Sequence, residues 1–321
     1  MGKLIKIVKE LFKDAISATL ELFKVMIPIL ILVKVLQEMD MIKYLAWPLE
    51  PVMALLGLPA EMGLVWASAL INNIYTGIIV LVSLIGDNPL TSAQATTLAV
   101  LMLVGHGLPV ECAIARKSGS RFMFQVAVRF VGAFVFAWIL NTIYTATGTL
   151  QGPATMLFQP DITAADPSLV GWALDQSKNL ISIFFVILGL LGMMRLLHAI
   201  KVIDLMNRLL RPVLDLIGIG PKASAITVIG LTMGLSYGGG LIINEAKSGT
   251  VGKEDIFYSL TFMGLCHSLI EDTLLLMLIG GHLSGVLWGR LILAIVAMAG
   301  IVQIVRRLPT NFQNRYLWVG K

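Results

Sequence analysis

Two short stretches put proton-carrying and metal-ligating side chains where almost everything around them is apolar. Residues 105–112 read GHGLPVEC and residues 265–273 read LCHSLIEDT. Each carries a histidine, a cysteine and at least one carboxylate. Histidine titrates near neutral pH, and ionisable groups within a membrane segment usually mark an ion or substrate path. His106 with Glu111, and His267 with Glu271 one helical turn on and therefore on the same face, have the chemistry to pass a proton or hold Na+. Together with Asp272, Cys112 and Cys266 they offer nitrogen, oxygen and sulfur ligands of the kind that suits Zn2+ or Fe2+. The plain alternative is a His–carboxylate pair that satisfies itself and locks two helices. Its occurrence twice, at corresponding places, favours function. Cysteine in an apolar helix is ordinarily a packing residue.

A second pair of polar interruptions lies upstream of each histidine. Residues 69–77 read ALINNIYTG and residues 230–246 read GLTMGLSYGGGLIINEA. Glycines and paired amides in mid-membrane let the backbone leave the helix, and the freed N–H and C=O groups then face a cavity or another polar group. Asn72, Asn73, Tyr75, His106, Ser236, Tyr237 and Asn244 become candidate solute-binding residues. Glu111, Glu245, His267, Glu271 and Asp272 become candidate ion-coupling residues. The competing reading of Gly230, Gly234 and Gly238 is close helix packing by small residues spaced by four.

The elements that must position these groups are legible in the composition. Of 321 residues 57% are hydrophobic and 13% charged, and the mean hydropathy is +0.86. Soluble domains carry about 25% charged residues, so the chain is read as an all-α polytopic membrane protein. Apolar runs of about 20 residues, enough to cross a ~30 Å hydrocarbon core, fall at 16–37, 62–86, 92–113, 122–146, 178–200, 223–245, 256–280 and 285–305. Lys3, Lys6, Lys9 and Lys13 opposite Leu4, Ile7, Val8 and Leu11 make the start either a basic amphipathic surface helix or a polar extension of the first span. The net charge of +5, from 24 basic and 19 acidic residues, is too scattered to point to nucleic acid. Two cysteines in apolar segments do not form a disulfide framework.

The chain also repeats itself. LEPVMALLG at 49–57 matches LRPVLDLIG at 210–218. Tyr75 and Gly77 recur as Tyr237 and Gly239, His106 as His267, and Glu111 as Glu271, all at nearly the same offset as the first match. The halves then run 1–148 and 178–321, joined by a Pro-, Gly- and Asp-rich linker at 149–177 that holds no Lys or Arg before Lys178. Basic loops belong in the cytoplasm, and eight crossings leave either Arg116–Arg121 or a terminus on the wrong side. If 41–59 and 201–220 also traverse, ten helical segments form two inverted five-segment repeats with broken helices, both termini are cytoplasmic and the linker is outside. The alternative for those two segments, which carry Lys43, Glu50, Asp204, Arg208, Arg211 and Asp215, is a pair of interfacial amphipathic helices.

With GHGLPVE after a polar break and GLSYGGGLIINEA in the second half, the chain resembles the nucleoside-recognition Gate-domain family. That family includes spore-maturation membrane proteins and the membrane part of the ferrous-iron transporter B family. The resemblance spans nearly the whole chain as two Gate units and implies a permease-like helical fold with cavity-lining broken helices. Where the iron transporters carry a Cys-Asn pair, this chain has Leu108 and Pro109, and it shows no phosphate-cradling loop of a GTPase.

An enzyme is not expected: there is no G-x-S-x-G nucleophile and no H-E-x-x-H zinc pair, and no cofactor is called for. The expectation is a secondary transporter of a small polar or anionic solute in the inner (plasma) membrane. It would work by alternating access at a mid-membrane site between the repeats, coupled to H+ or Na+. A divalent metal permease is the first alternative, and a non-transporting membrane assembly or regulatory partner the second. Expected partners are the solute or ion, the lipid bilayer and, as one option, further copies of the chain.

Overall fold

The computed structural model describes residues 2–85, 89–156, 168–234, 240, 243–246 and 248–319. Among these, every named element is helical and six helices are long and apolar enough to cross a membrane: Lys6–Glu38, Ser92–Lys117, Phe122–Thr147, Leu169–Leu197, Lys253–Met277 and Ser284–Arg307. The chain is an integral membrane protein of all-α architecture. Large apolar side chains such as Leu32, Val131, Phe185 and Ile292 are exposed, which is the pattern a lipid-facing surface requires.

The first half holds α1 (Gly2–Glu38), the short α2 (Ile42–Ala46) and α3 (Glu50–Leu55), the pair α4 (Met62–Ile71) and α5 (Ile74–Leu84), the pair α6 (Ser92–Val104) and α7 (Leu108–Lys117), and α8 (Phe122–Thr147). The second half holds α9 (Leu169–Ala199), α10 (Val202–Leu216), α11 (Pro221–Met233), α12 (Lys253–Cys266), α13 (Glu271–Met277), a π-helical turn at Ser284–Gly289, α14 (Arg290–Arg307) and α15 (Thr310–Tyr316). The basic start is a continuous part of α1, so of its two readings the extension of the first span holds. α9 begins at Leu169, well ahead of the expected 178, with Asp175 paired to Lys178 on its surface.

Local structure repeats at the offset read from the sequence. Gly57 (φ +67) donates to Ala54 O and Leu58 to Met53 O after α3; Gly218 (φ +90) donates to Asp215 O and Ile219 to Leu214 O after α10. These two left-handed helix stops occupy equivalent positions in the two halves and need glycine for their positive φ. Burial repeats too. In the most apolar 18-residue stretch of each broken helix, Ser92–Lys117 and Lys253–Met277, 72% of the residues are buried, against 33% in each of Phe122–Thr147 and Ser284–Arg307. These two pairs of matching elements therefore sit at matching depths, the broken helices at the centre.

Contacts between helix ends sort the molecule into two faces. Gln37 at the end of α1 donates to Ser83 O at the end of α5, 2.8 Å away, and a cleft is lined by Gln37, Asp40, Glu61, Met62 and Leu84. Gln94 donates to Gly57 O, and residues 90–93 are hydrogen-bonded to 150–154. The opposite face gathers the basic loops. Arg195 bonds Ile7 O and Asp14, Gly220 N bonds Asp255, and the tail clasps the loop before α8 through Arg121 N to Leu317 O, Val319 N to Gly119 O and a bridge between Ser120 and Trp318.

This sorting corrects the ten-crossing expectation. Because α4 starts and α5 ends on the same face, residues 62–84 form a re-entrant helical hairpin that turns back at Asn72–Asn73. A Cβ on Gly77 would lie 2.8 Å from Ala69 Cβ, so glycine permits the close return of α5 along α4. α11 enters from the basic face, and Glu245 lines a cavity with Ala223, Ile226 and Val251 on that same face. Residues 41–59, cut into pieces by Pro48 and Pro51, begin and end on one face. α10 is 15 residues long, about 23 Å at 1.5 Å per residue, and lies across the other. Among the described residues each half thus has three crossing helices and one segment at the surface, and the first half adds the re-entrant hairpin. Three is odd, so the second half runs opposite to the first, and the basic loops share one face.

Candidate functional site

The breaks in the two central helices meet in the interior. In the first half, α6 ends at Gly105 and α7 starts after Gly107, whose φ of +58 requires the left-handed region. Pro109 stands in the first turn of α7, where its missing N–H costs no helical bond. In the second, α12 ends at His267, Ser268 takes φ +49, and α13 starts at Glu271. Gly107 N donates to Ala69 O at the tip of the 62–84 hairpin (2.9 Å), and Leu269 N donates to Leu231 O in α11 (2.7 Å). Each broken span is tied by the same bond to the helix before it, α4 in the first half and α11 in the second, donor matching donor and acceptor matching acceptor.

These breaks bring both histidines to one point. His106 Nε2 and His267 Nε2 are 3.2 Å apart, and Glu111 Oε1 lies 3.5 Å from the first and 3.3 Å from the second. His106 Nδ1 faces the carbonyls of Met102 (3.0 Å) and Leu103 (3.1 Å), and His267 Nδ1 faces that of Met263 (2.9 Å). A carbonyl only accepts, so each Nδ1 carries the hydrogen and each neutral ring presents a bare Nε2. Two lone pairs and a carboxylate oxygen then converge with nothing to separate them, unless a proton or a metal cation lies among them. The other carboxylate oxygen, Glu111 Oε2, accepts from Arg129. Arg129, fully buried in α8, also donates to the carbonyls that the first break releases, Val104 O (3.0 Å) and His106 O (2.7 Å).

The other candidates lie around this cluster or apart from it. Asn73 caps α5: its Oδ1 accepts from Thr76 N at 2.9 Å, while Asn72 Nδ2 donates to Thr76 Oγ1 at 2.7 Å. The amide pair therefore builds the hairpin tip, next to Gly107. Tyr75 is half-buried, with its hydroxyl against Glu271 and Asp272 nearby. The expected helical pair of His267 with Glu271 does not form, because the helix stops between them; His267 goes to Glu111 and His106 of the other half. Glu245 accepts from Ser248 and Thr250 near the basic face, and Asn244 is exposed, so neither joins the cluster among the described residues. Ser236 and Tyr237 lie outside the described residues. The metal-ligating set is reduced to His106, Glu111 and His267, whose ligand atoms lie within 4.8 Å of one another; Cys112 and Cys266 are buried beside Arg129 and Arg290 instead.

Motif and spacing do not single out Arg129 and Arg290. A signal for them is nevertheless present, since each is an arginine in a long apolar helix and the two stand at the same offset as the two histidines. That offset makes Asp272, rather than Glu271, the counterpart of Glu111.

Among known proteins the chain is 28% identical over 280 residues to the uncharacterized membrane protein YvoD of Bacillus subtilis (strain 168), an alignment covering 85% of this chain and 88% of that protein. No family model and no solved structure matches the chain.

Proposed function

We propose that this membrane protein is a transporter of a small polar or anionic solute, driven by a proton that His106, His267 and Glu111 hold between them. The observation that carries this reading is the convergence of two bare Nε2 atoms and a carboxylate oxygen at 3.2–3.5 Å in a buried site. Such a cluster has high affinity for one small cation. With Arg129 balancing Glu111 its formal charge is zero, so a proton brings it to +1 and a divalent ion to +2. In a low dielectric the smaller charge is the cheaper one. The 62–84 hairpin and α11 enter from opposite faces and end at the broken spans, which suits access that alternates between faces, and the Asn72–Asn73 tip would line the solute's path. The basic face is the cytoplasmic one by the distribution of Lys and Arg, which puts both termini inside a plasma membrane. Kinship with the Gate-domain family belongs to the same proposal, as does the absence of enzymatic activity.

The second reading is a divalent metal permease, favoured by the His2Glu donor set, which is a known Zn2+ combination. One experiment separates them. Thermal unfolding of the purified protein in lipid nanodiscs is followed from pH 5 to 8 with Zn2+ and with nucleosides, carboxylates and phosphates. The expected result is stabilisation by one solute class that varies with pH in the wild type and not in His267→Gln, while a Cys112→Ala/Cys266→Ala double variant behaves as wild type. Stabilisation by Zn2+ alone, lost in His267→Gln, would establish the metal reading instead.

A further inference from the structure

The two halves match in the backbone hydrogen bonds at their breaks and in the placement of their histidines, and differ at a buried arginine–carboxylate pair. Arg129 spends its guanidinium on Glu111 and two carbonyls. Its counterpart Arg290 is fully buried, yet among the described residues it makes only one bond, from Nη2 to Thr273 Oγ1 at 3.3 Å, and its Nε and Nη1 have no partner. Thr273 is the neighbour of Asp272, the counterpart of Glu111, and no side-chain hydrogen bond or ion pair to the Asp272 carboxylate is found among the described residues. A charge without partners in the interior is costly. The carboxylate that would relieve it is the next residue along the same helix.

The helix explains the mismatch. Arg129 stands in regular α-helix, whereas the segment immediately before Arg290, Ser284–Gly289, forms a π-helical turn. A π turn closes one residue later than an α turn. Relaxing it to α therefore rotates the downstream helix by about one residue's worth of twist, roughly 100°. The turn is held in part by Ser284, whose hydroxyl bonds Tyr144 at 2.8 Å and His282 at 2.8 Å.

We infer that Arg290 and Asp272 form the second-half copy of the Arg129–Glu111 pair in another conformation, reached when the Ser284–Gly289 turn passes from π to α and α14 rotates. The present structure is then one of two states, with the first half's arginine engaged and the second half's waiting. This inference rests on the transport reading, because it gives alternating access its switching element.

The test places spin labels on Met123→Cys in α8 and Ile304→Cys in α14, both exposed, and measures their distance distribution in nanodiscs without solute. The expected result is two populations in the otherwise wild-type protein, and one, that of the present structure, in both Asp272→Asn and Arg290→Gln. Arg290→Lys keeps the charge and the fold, and is expected to retain two populations. A single population in every protein would overturn the inference, as would two populations that Asp272→Asn leaves unchanged. Because no solute is present, this outcome is independent of the solute screen: two switching populations without any solute response would sink the transport reading and leave the exchange standing.

Discussion

Replacing Arg129 by glutamine would leave Glu111 buried and charged, and would strip the donors from the carbonyls of Val104 and His106. Breaking a buried ion pair on one side costs about 3–5 kcal/mol. Lysine restores the charge but not the planar fork that reaches three acceptors at once. Thermal midpoints in nanodiscs should therefore fall strongly for Arg129→Gln and by less for Arg129→Lys; if both variants melt with the wild type, the pair has no structural weight. At this scale the sequence speaks unevenly. His106, Glu111 and His267 are legible because they are polar groups inside apolar runs. Their partners are not, because periodicity assigns residues to faces of one helix, and here His267 leaves its own helix to meet a carboxylate of the other half. Arg129 is hidden for the same reason: its acceptors are backbone carbonyls freed by a break in the preceding span, which no spacing rule connects to it.

Between helices, the hairpin tip depends on two local devices. Asn73 supplies the N-cap of α5, and its replacement by alanine should cost about 1 kcal/mol. Gly107 holds a left-handed conformation, with Asn72 O 3.4 Å from where a Cβ would stand. Alanine there should cost at least roughly 1–2 kcal/mol from backbone conformation alone. Chemical denaturation in mixed micelles would read both, and a Gly107→Ala variant as stable as wild type would show that the break relaxes without strain. The breaks at Asn72–Asn73 and after Gly105 are visible in the sequence as polar and glycine interruptions. That residues 62–84 turn back is not, since a hairpin and a span have the same hydropathy. What decides between them is the close approach of Gly77 to Ala69, a tertiary contact.

For the molecule as a whole, six crossings and ten make opposite statements about residues 39–61. In the six-crossing arrangement both ends of this segment lie on the face of Gly152, while in a ten-pass chain they are on opposite faces. Met39→Cys, Glu61→Cys and Gly152→Cys should all react with an impermeant thiol reagent from one side of oriented vesicles and Lys117→Cys only from the other, the native cysteines being buried. Labelling of Met39→Cys and Glu61→Cys from different sides would restore the longer topology. The duplication itself and the opposed sense of the halves are readable from the constant offset between matching motifs and from the charge of the loops, because an odd number of crossings per half, three or five, gives the same inversion.

The clasp between the tail and the loop before α8 has a mechanical consequence. Trp318 packs against Phe257 at the foot of α12, while the backbone on either side of it is bonded to residues 119–121 of the first half. The two inverted halves are thus riveted together at the basic face, around the entrances of α8 and α12. No such rivet joins the same pair of helices at their far ends among the described residues. A rotation of α14 of the kind inferred above must therefore either carry the clasped tail along or turn against it. The two rims are thus held in unlike ways, by backbone bonds at the basic face and by the bonds of Tyr144 and Thr96 to Ser284 and His282 at the other.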